Sequence, residues 1–292
     1  MAISTIGFIH SFYTLAILIF IVRLANSAFH PVGASIAGHE RKSYKLATFS
    51  IMGGLGAGIA PAFITWYVGQ FGIEKIWLIS IAGILATIFI SIPLWRLSKD
   101  TVSQMIIPRI SMWALLSGVF IIVSMRTFIM EVFHTYLPFY VQMKGGSVLL
   151  GGITLTLGML LGMLTNYIGA YIRDKKEIRF VNTLVFLGMA IFSLTFYITN
   201  SAIIRTAAFV LFDDSAFLSM SANLIEAQFL LPTNRGFAGG VAMGFSWATG
   251  QFLASGYASI FGDNVPFMIL SMIIISFLMI PLALVINRYQ ES

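Results

Sequence analysis

An all-α fold, a polytopic transmembrane helical bundle, is predicted by three observations. Of the 292 residues, 58% are hydrophobic and only 10% are charged, against roughly 45–50% and about 25% in soluble domains. Mean hydropathy is +0.92, and a chain of this length has too little interior to hide so much apolar surface, so the excess faces lipid. The apolar residues come in long continuous runs, whereas a membrane barrel would show alternating segments of roughly ten residues.

Each helix follows from the length of its run. Crossing about 30 Å of hydrocarbon takes roughly 20 helical residues, and runs of that order bracket 12–37, 44–70, 76–97, 108–141, 147–172, 180–199, 203–230, 236–261 and 266–287. Nine helices are therefore expected. The run 108–141 exceeds one crossing and calls for tilt or a short surface segment at Pro108. Between the runs lie polar punctuations too short to be domains, such as 39–43, 173–177 and 232–236. Residues 1–10 carry no basic region and no small-residue cleavage pattern, and belong with the mature chain in this reading.

The formal charge is +6, but the basic residues cluster between apolar runs and form no continuous face for nucleic acid. Counted by alternate loops, one side collects Arg41, Lys42, Lys45, Arg96, Lys99, Arg109, Arg173, Lys175, Lys176, Arg179, Arg235 and Arg288, and the other only Lys75, Lys144 and Arg205. The positive-inside rule then puts the carboxy terminus in the cytoplasm and, with nine spans, the amino terminus outside. There is no cysteine, hence no disulfide and no thiolate metal site. Neither a Walker-type phosphate loop nor His-Glu-x-x-His occurs, so ATP-driven transport and zinc hydrolysis are not expected. The chain reads as no enzyme, with no cofactor and no metal.

A faint internal echo links Lys45-Leu46-Ala47, leading into Gly53-Gly54, with Gly236-Phe237-Ala238, leading into Gly240 and Gly244. Both copies run in the same direction, as parallel repeats in transporters do. The segment Ser27-Ala28-Phe29-His30-Pro31-Val32-Gly33-Ala34-Ser35, with Arg126-Thr127-Phe128, Tyr136-Leu137-Pro138-Phe139-Tyr140, Lys144-Gly145-Gly146-Ser147, Ala227-Gln228, Leu231-Pro232 and Met243-Gly244-Phe245, resembles the major facilitator superfamily, and within it the fosmidomycin-resistance-like drug transporters. The resemblance implies that the nine spans correspond to family helices four to twelve, the first three being absent. It implies a partial N-terminal bundle at 1–97, a central cytoplasmic linker at 98–110 and a C-terminal six-helix bundle at 111–292. The segment Gly169-Ala170-Tyr171-Ile172-Arg173-Asp174-Lys175-Lys176-Glu177 is similar to the family's cytoplasmic loop motif at Gly169, Asp174 and Lys175, with Glu177 where the pattern prefers glycine.

Ionisable residues inside spans are the candidates for chemistry, since lipid exposure of a central arginine costs roughly 2.5–3.5 kcal/mol. Arg23 lies mid-span, and its place resembles the fourth-helix arginine associated with proton coupling; a structural pairing explains it equally. His30 precedes Pro31 and either exchanges protons near neutral pH or caps carbonyls that the proline leaves unpaired. Arg126, Glu131 and His134 share one span, with Glu131 and His134 at i, i+3 and Arg126 within about 80° of His134 around the helix. One stripe can hold all three, as a substrate or proton site or as an internal ion-pair staple. Asp213 and Asp214 interrupt an apolar stretch and point about 100° apart, so at least one needs a partner or a proton, unless the helix breaks there and leaves both in a wet crevice. Glu226 and Gln228 read as structural. Gly54-x-x-x-Gly58 followed by Pro61 permits close helix approach and resembles the antiporter signature, with Ala60 in place of the usual glycine.

The expected function is secondary active transport: proton-coupled efflux of a small drug-like compound by a multi-pass protein of the cell membrane, its partners being that solute, protons and the bilayer. An organic-anion or sugar transporter of the same fold, with Arg126 as an anion clamp, is the first alternative. A non-transporting fragment is the second.

Overall fold

The computed structural model describes residues 2–37, 43–97, 110–232 and 234–285, with the backbone alone at residue 2, at 23, 24, 26–28, 30–37, 43–51 and 92–97, and at 235. Among the described residues there are helices and turns and no strand. The helices are α1 (Phe12–Ala37), α2 (Ser43–Phe71), α3 (Ile79–Leu97), α4 (Ile110–Met143), α5 (Val148–Arg173), α6 (Ile178–Ile198), α7 (Ala202–Phe217), α8 (Met220–Leu230), α9 (Arg235–Gly239), α10 (Ser246–Phe261) and α11 (Val265–Val285). They follow the nine expected runs closely. Two runs are composite: 203–230 divides into α7 and α8, and 236–261 into α9, a π-helical stretch Gly240–Phe245 and α10. By length and composition alone, six helices among the described residues could cross a membrane. The expected linker at 98–110 lies almost wholly outside the described residues.

The chain forms two compact units. The first comprises 1–50 and 63–107. Here a 3-10 segment, Ala2–Phe8, lies on a second one, Ile73–Leu78, and buries Ser4 and Ile76. At the end of α2 a run of rings packs edge and tilted, Tyr67 against Phe71 at 4.9 Å and Phe63 against Trp66 at 6.1 Å between centroids.

The second unit comprises 51–62 and 108–292. Its longest element is α4, whose 34 residues extend about 51 Å at 1.5 Å per residue, well beyond a hydrocarbon core of about 30 Å. No surface segment interrupts it, so the excess is taken up by tilt or by projection beyond the hydrocarbon. Helices α5, α10 and α11 flank α4, and α6 packs on α7 and α11. The core is aromatic and aliphatic: Phe133, Phe186, Phe196, Phe209 and Phe212 are fully buried together with Ile129, Leu137, Met189 and Met268. Phe133 lies 4.4 Å from Phe212 between ring centroids.

Local chemistry explains the boundaries. The turn after α4 uses Gly145 at φ 81°, a left-handed conformation that only glycine adopts without cost, and the Gly146 N–H donates to Val141 O at 2.9 Å. Ser147 then caps α5, its Oγ accepting from the Leu150 N–H at 3.1 Å, as expected of serine at a helix start. Ser201 caps α7 in the same way. The middle of α2 runs along α5: a Cβ on Gly54 would lie 2.6 Å from Met163 Sδ, and one on Gly58 would lie 2.8 Å from Leu160 Cδ2. Pro61 removes a donor within α2, and next to it the Ala62 N–H donates to Thr156 Oγ1 of α5 at 3.0 Å, a side-chain replacement of the kind that tolerates proline in membrane helices.

Candidate functional site

The charged residues of α4 meet α7 in the interior of the second unit. His134 Nε2 and Asp213 Oδ1 are 2.7 Å apart, with side-chain exposures of 21% and 0%. Asp213 is thus reached from outside only across the imidazole. Its other oxygen, Oδ2, is buried without a hydrogen-bonding partner in the protein. Glu131, one turn before His134 on α4, is close enough to act electrostatically on the imidazole.

Arg126 is 4% exposed. Its Nη1 donates to Ala216 O of α7 at 3.3 Å, and the guanidinium lies within electrostatic range of Asp213. Ala216 sits at the end of α7, two residues before the helix breaks at Leu218 and Ser219. Terminal carbonyls there carry the negative end of the helix dipole, so a guanidinium is the expected partner. Discontinuous helices of this sort form the ligand and ion sites of many transporters.

The break itself is held from α5. Asn166 Oδ1 accepts from the Ser221 N–H at 2.8 Å, giving the first turn of α8 a cap. Asn182 of α6 and Asn223 of α8 exchange amide hydrogen bonds at 3.2 and 2.8 Å, and Asn223 Nδ2 also donates to Ser219 O at 3.0 Å. Both asparagines are buried. Asp213 and Asp214 lie inside α7, four to six residues before the break, and Asp213 is fully enclosed, so the wet-crevice alternative is corrected for that residue. Asp214 has its main-chain carbonyl capped by Thr165 Oγ1 at 2.9 Å and its Oδ1 buried without a protein partner.

Glu226 pairs with Arg173 of the loop segment, whose Nε and Nη2 both donate to Oε2 at 2.9 and 2.5 Å. This ties the end of α5 to α8. Asp174 follows α5 as its C-cap residue, Lys175 Nζ donates to Tyr171 Oη at 2.5 Å, and Arg179 pairs with Glu177. Gly169 lies directly against the Leu218 carbonyl, leaving no room for a side chain. Among the remaining candidates, the side chains of Arg23 and His30 lie outside the described residues, and Gly54, Gly58 and Pro61 belong to the α2–α5 contact above. Among the described residues no group of three or more His, Cys, Asp or Glu is placed to hold a metal ion.

Sequence reasoning singled out Arg126, Glu131, His134, Asp213 and Asp214 without pairing them across 79 residues. It missed Asn166, Thr165, Asn182 and Asn223. The one available signal was that these are amide and hydroxyl side chains inside long apolar runs, where an unbonded polar group is costly.

No match was found among curated proteins. The family model described as Major Facilitator Superfamily matches residues 1–255, which takes in both units and the whole of the α4–α7 site. The chain, an all-α polytopic membrane protein, therefore belongs to the Major Facilitator Superfamily of membrane transporters.

Proposed function

We propose that the protein exchanges protons for a small amphipathic, drug-like solute, as an antiporter that exports its substrate from the cell. The observation that carries this reading is the His134–Asp213 contact of 2.7 Å, a partly exposed imidazole joined to a fully enclosed carboxylate. A proton can pass through an imidazole to a carboxylate where a larger ion has no path, because histidine titrates near neutral pH and has two ring nitrogens. Burial of ionisable groups within spans is the usual mark of an ion or substrate route.

Charge balance bears on the solute. Three carboxylates, Glu131, Asp213 and Asp214, stand against Arg126 and the imidazole of His134, and Arg126 is engaged with Ala216 O. That arrangement supports a neutral or cationic solute over an organic anion clamped by Arg126. The resemblance to the fosmidomycin-resistance-like branch, the match of the nine passages to family helices four to twelve, the bundle boundaries at 97 and 111, and the cytoplasmic carboxy terminus belong to the same reading. So does a cell-membrane location.

The test uses the full chain in proteoliposomes with an imposed pH gradient and ethidium as an amphipathic cationic probe. Ethidium should move against its own gradient, stop when nigericin collapses the pH difference, and fall to the protein-free background in Asp213→Asn. Gradient-independent movement, or an unchanged rate in Asp213→Asn, would remove the coupling role. In Arg126→Gln, a selective loss of affinity for anionic solutes would favour the organic-anion alternative.

A further inference from the structure

Gly158 of α5 has no chemistry of its own, yet it faces the only titratable side chain on α7 that is fully enclosed. A Cβ at this position would lie 2.7 Å from Asp213 Oδ2, 3.0 Å from Asp213 Cβ and 3.1 Å from Phe209 Cε1. Methyl carbons do not sit within 3 Å of an oxygen, so an added methyl would displace the carboxylate. Nor is there slack to receive it. Phe209 is fully buried and packs on Phe196 and Phe212 at centroid distances of 6.2 and 5.9 Å, and on the His134 ring at 5.9 Å. Close-packed interiors transmit such a shift, and here it runs straight into the 2.7 Å contact between Oδ1 and His134.

We propose that Gly158 is a positioning residue for the Asp213 carboxylate: the missing side chain lets Oδ2 lie against the α5 backbone and so fixes Oδ1 on His134. Three other glycines of α5 accommodate different groups. Gly151 meets Pro138, Gly162 the ring of Phe217 and Gly169 the Leu218 carbonyl. All permit close helix approach, but Gly158 alone among them meets an ionisable side chain. The charged groups acting on the Asp213–His134 pair are Arg126 and Glu131 from α4 and Asp214 from α7. At this level α5 offers glycine, threonine and asparagine, its one charged residue being Arg173 at the far end.

This inference rests on the coupling role proposed for Asp213, and its test is independent of transport. The full chain, labelled with 15N-histidine and held in lipid nanodiscs, gives imidazole resonances of which His134 is assigned by their loss in His134→Asn. Gly158→Ala should displace the His134 signals and their titration midpoint in the same direction as Asp213→Asn. Gly162→Ala, which crowds Phe217 instead, should leave them at the wild-type position. Combined with Asp213→Asn, Gly158→Ala should add nothing further, since residues acting through one contact are non-additive. Wild-type spectra in Gly158→Ala, an equal displacement in Gly162→Ala, or additive effects would each overturn the proposal. If Gly158→Ala alone does not fold, joining it to Asp213→Ala should restore folding by removing the carboxylate it strikes. A double variant that stays unfolded while Asp213→Ala folds would be equally fatal. Because the spectra report position and not flux, failure here leaves the proton-exchange reading to its own vesicle test.

Discussion

Two stretches of similar hydropathy behave very differently. Ile73–Ser91, which leads into and forms most of α3, has a mean hydropathy of 2.0 and is 6% buried over its most apolar window, while α4 has 1.8 and is 56% buried. Their polar side chains explain the contrast. In the first stretch Ser80, Thr87 and Ser91 each return a hydrogen bond to their own helix or its entry turn, on Trp77 O, Gly83 O and Ile88 O. In α4, Arg126 reaches Ala216 O on α7, His134 reaches Asp213 on α7, and Tyr140 Oη donates to Tyr197 O on α6 at 3.0 Å. Hydropathy identifies a helix that can cross a membrane. Where its polar groups bond decides whether it is a peripheral cylinder or the centre of a bundle.

That contrast can be broken by substitution. The largest effect is expected for Asp213→Ala, which strips the carboxylate from His134 and from the neighbourhood of Arg126. Leaving a buried charge without its partner costs about 3–5 kcal/mol, measurable by unfolding in mixed micelles. A cost no greater than that of a substitution in α3 would show that α4 does not organise the bundle through these groups. Asn223→Ala should come next, at about 1–3 kcal/mol, because it orphans the buried Asn182 amide and releases Ser219 O. The same measurement checks it, and Asn182→Ala should match it if the two amides act as one unit. Smallest is Thr87→Val, whose hydroxyl serves only Gly83 O of its own helix; a change within about 0.5 kcal/mol is expected. A loss as large as that of Asn223→Ala would mean that α3 is held by something other than its own backbone.

Much of the architecture was legible in the sequence because span length is fixed by bilayer thickness. Long apolar runs with polar punctuation leave little freedom in where helices begin and end, and Lys144-Gly145-Gly146-Ser147 is read directly as a turn and a cap. Less legible were the interruptions. No proline marks the break between α7 and α8; it depends on Asn166, Asn182 and Asn223, which come from three different helices and have no common sequence pattern. The site was half legible. An arginine, a histidine and two aspartates inside spans stand out by their cost in lipid, but the partner of each is set by helix packing. Geometry on one helix suggested Glu131 and Arg126 as companions of His134, whereas its hydrogen bond goes to Asp213 on another. Gly158 could not be chosen from the glycines of α5 until Asp213 was placed opposite it.

The π-helical stretch Gly240–Phe245, in which Ser246 Oγ donates back to Val241 O at 2.7 Å, divides its span into two registers. A π-bulge inserts one residue into an α-helix, which turns everything beyond it by about 100°. Before the turn is complete, Phe245 stacks on Phe120 at 5.2 Å and meets Trp113 edge-on at 5.5 Å. Beyond it, Gly250 comes against α4 so closely that a Cβ would lie 2.6 Å from both Ser124 O and Thr127 Cβ. One helix thus presents rings to one part of α4 and bare backbone to the next, although no single helical phase places both there. Shortening the stretch by one residue would keep a continuous helix and would swing Gly250 out of the seam, bringing a bulkier neighbour such as Thr249 or Gln251 toward Thr127.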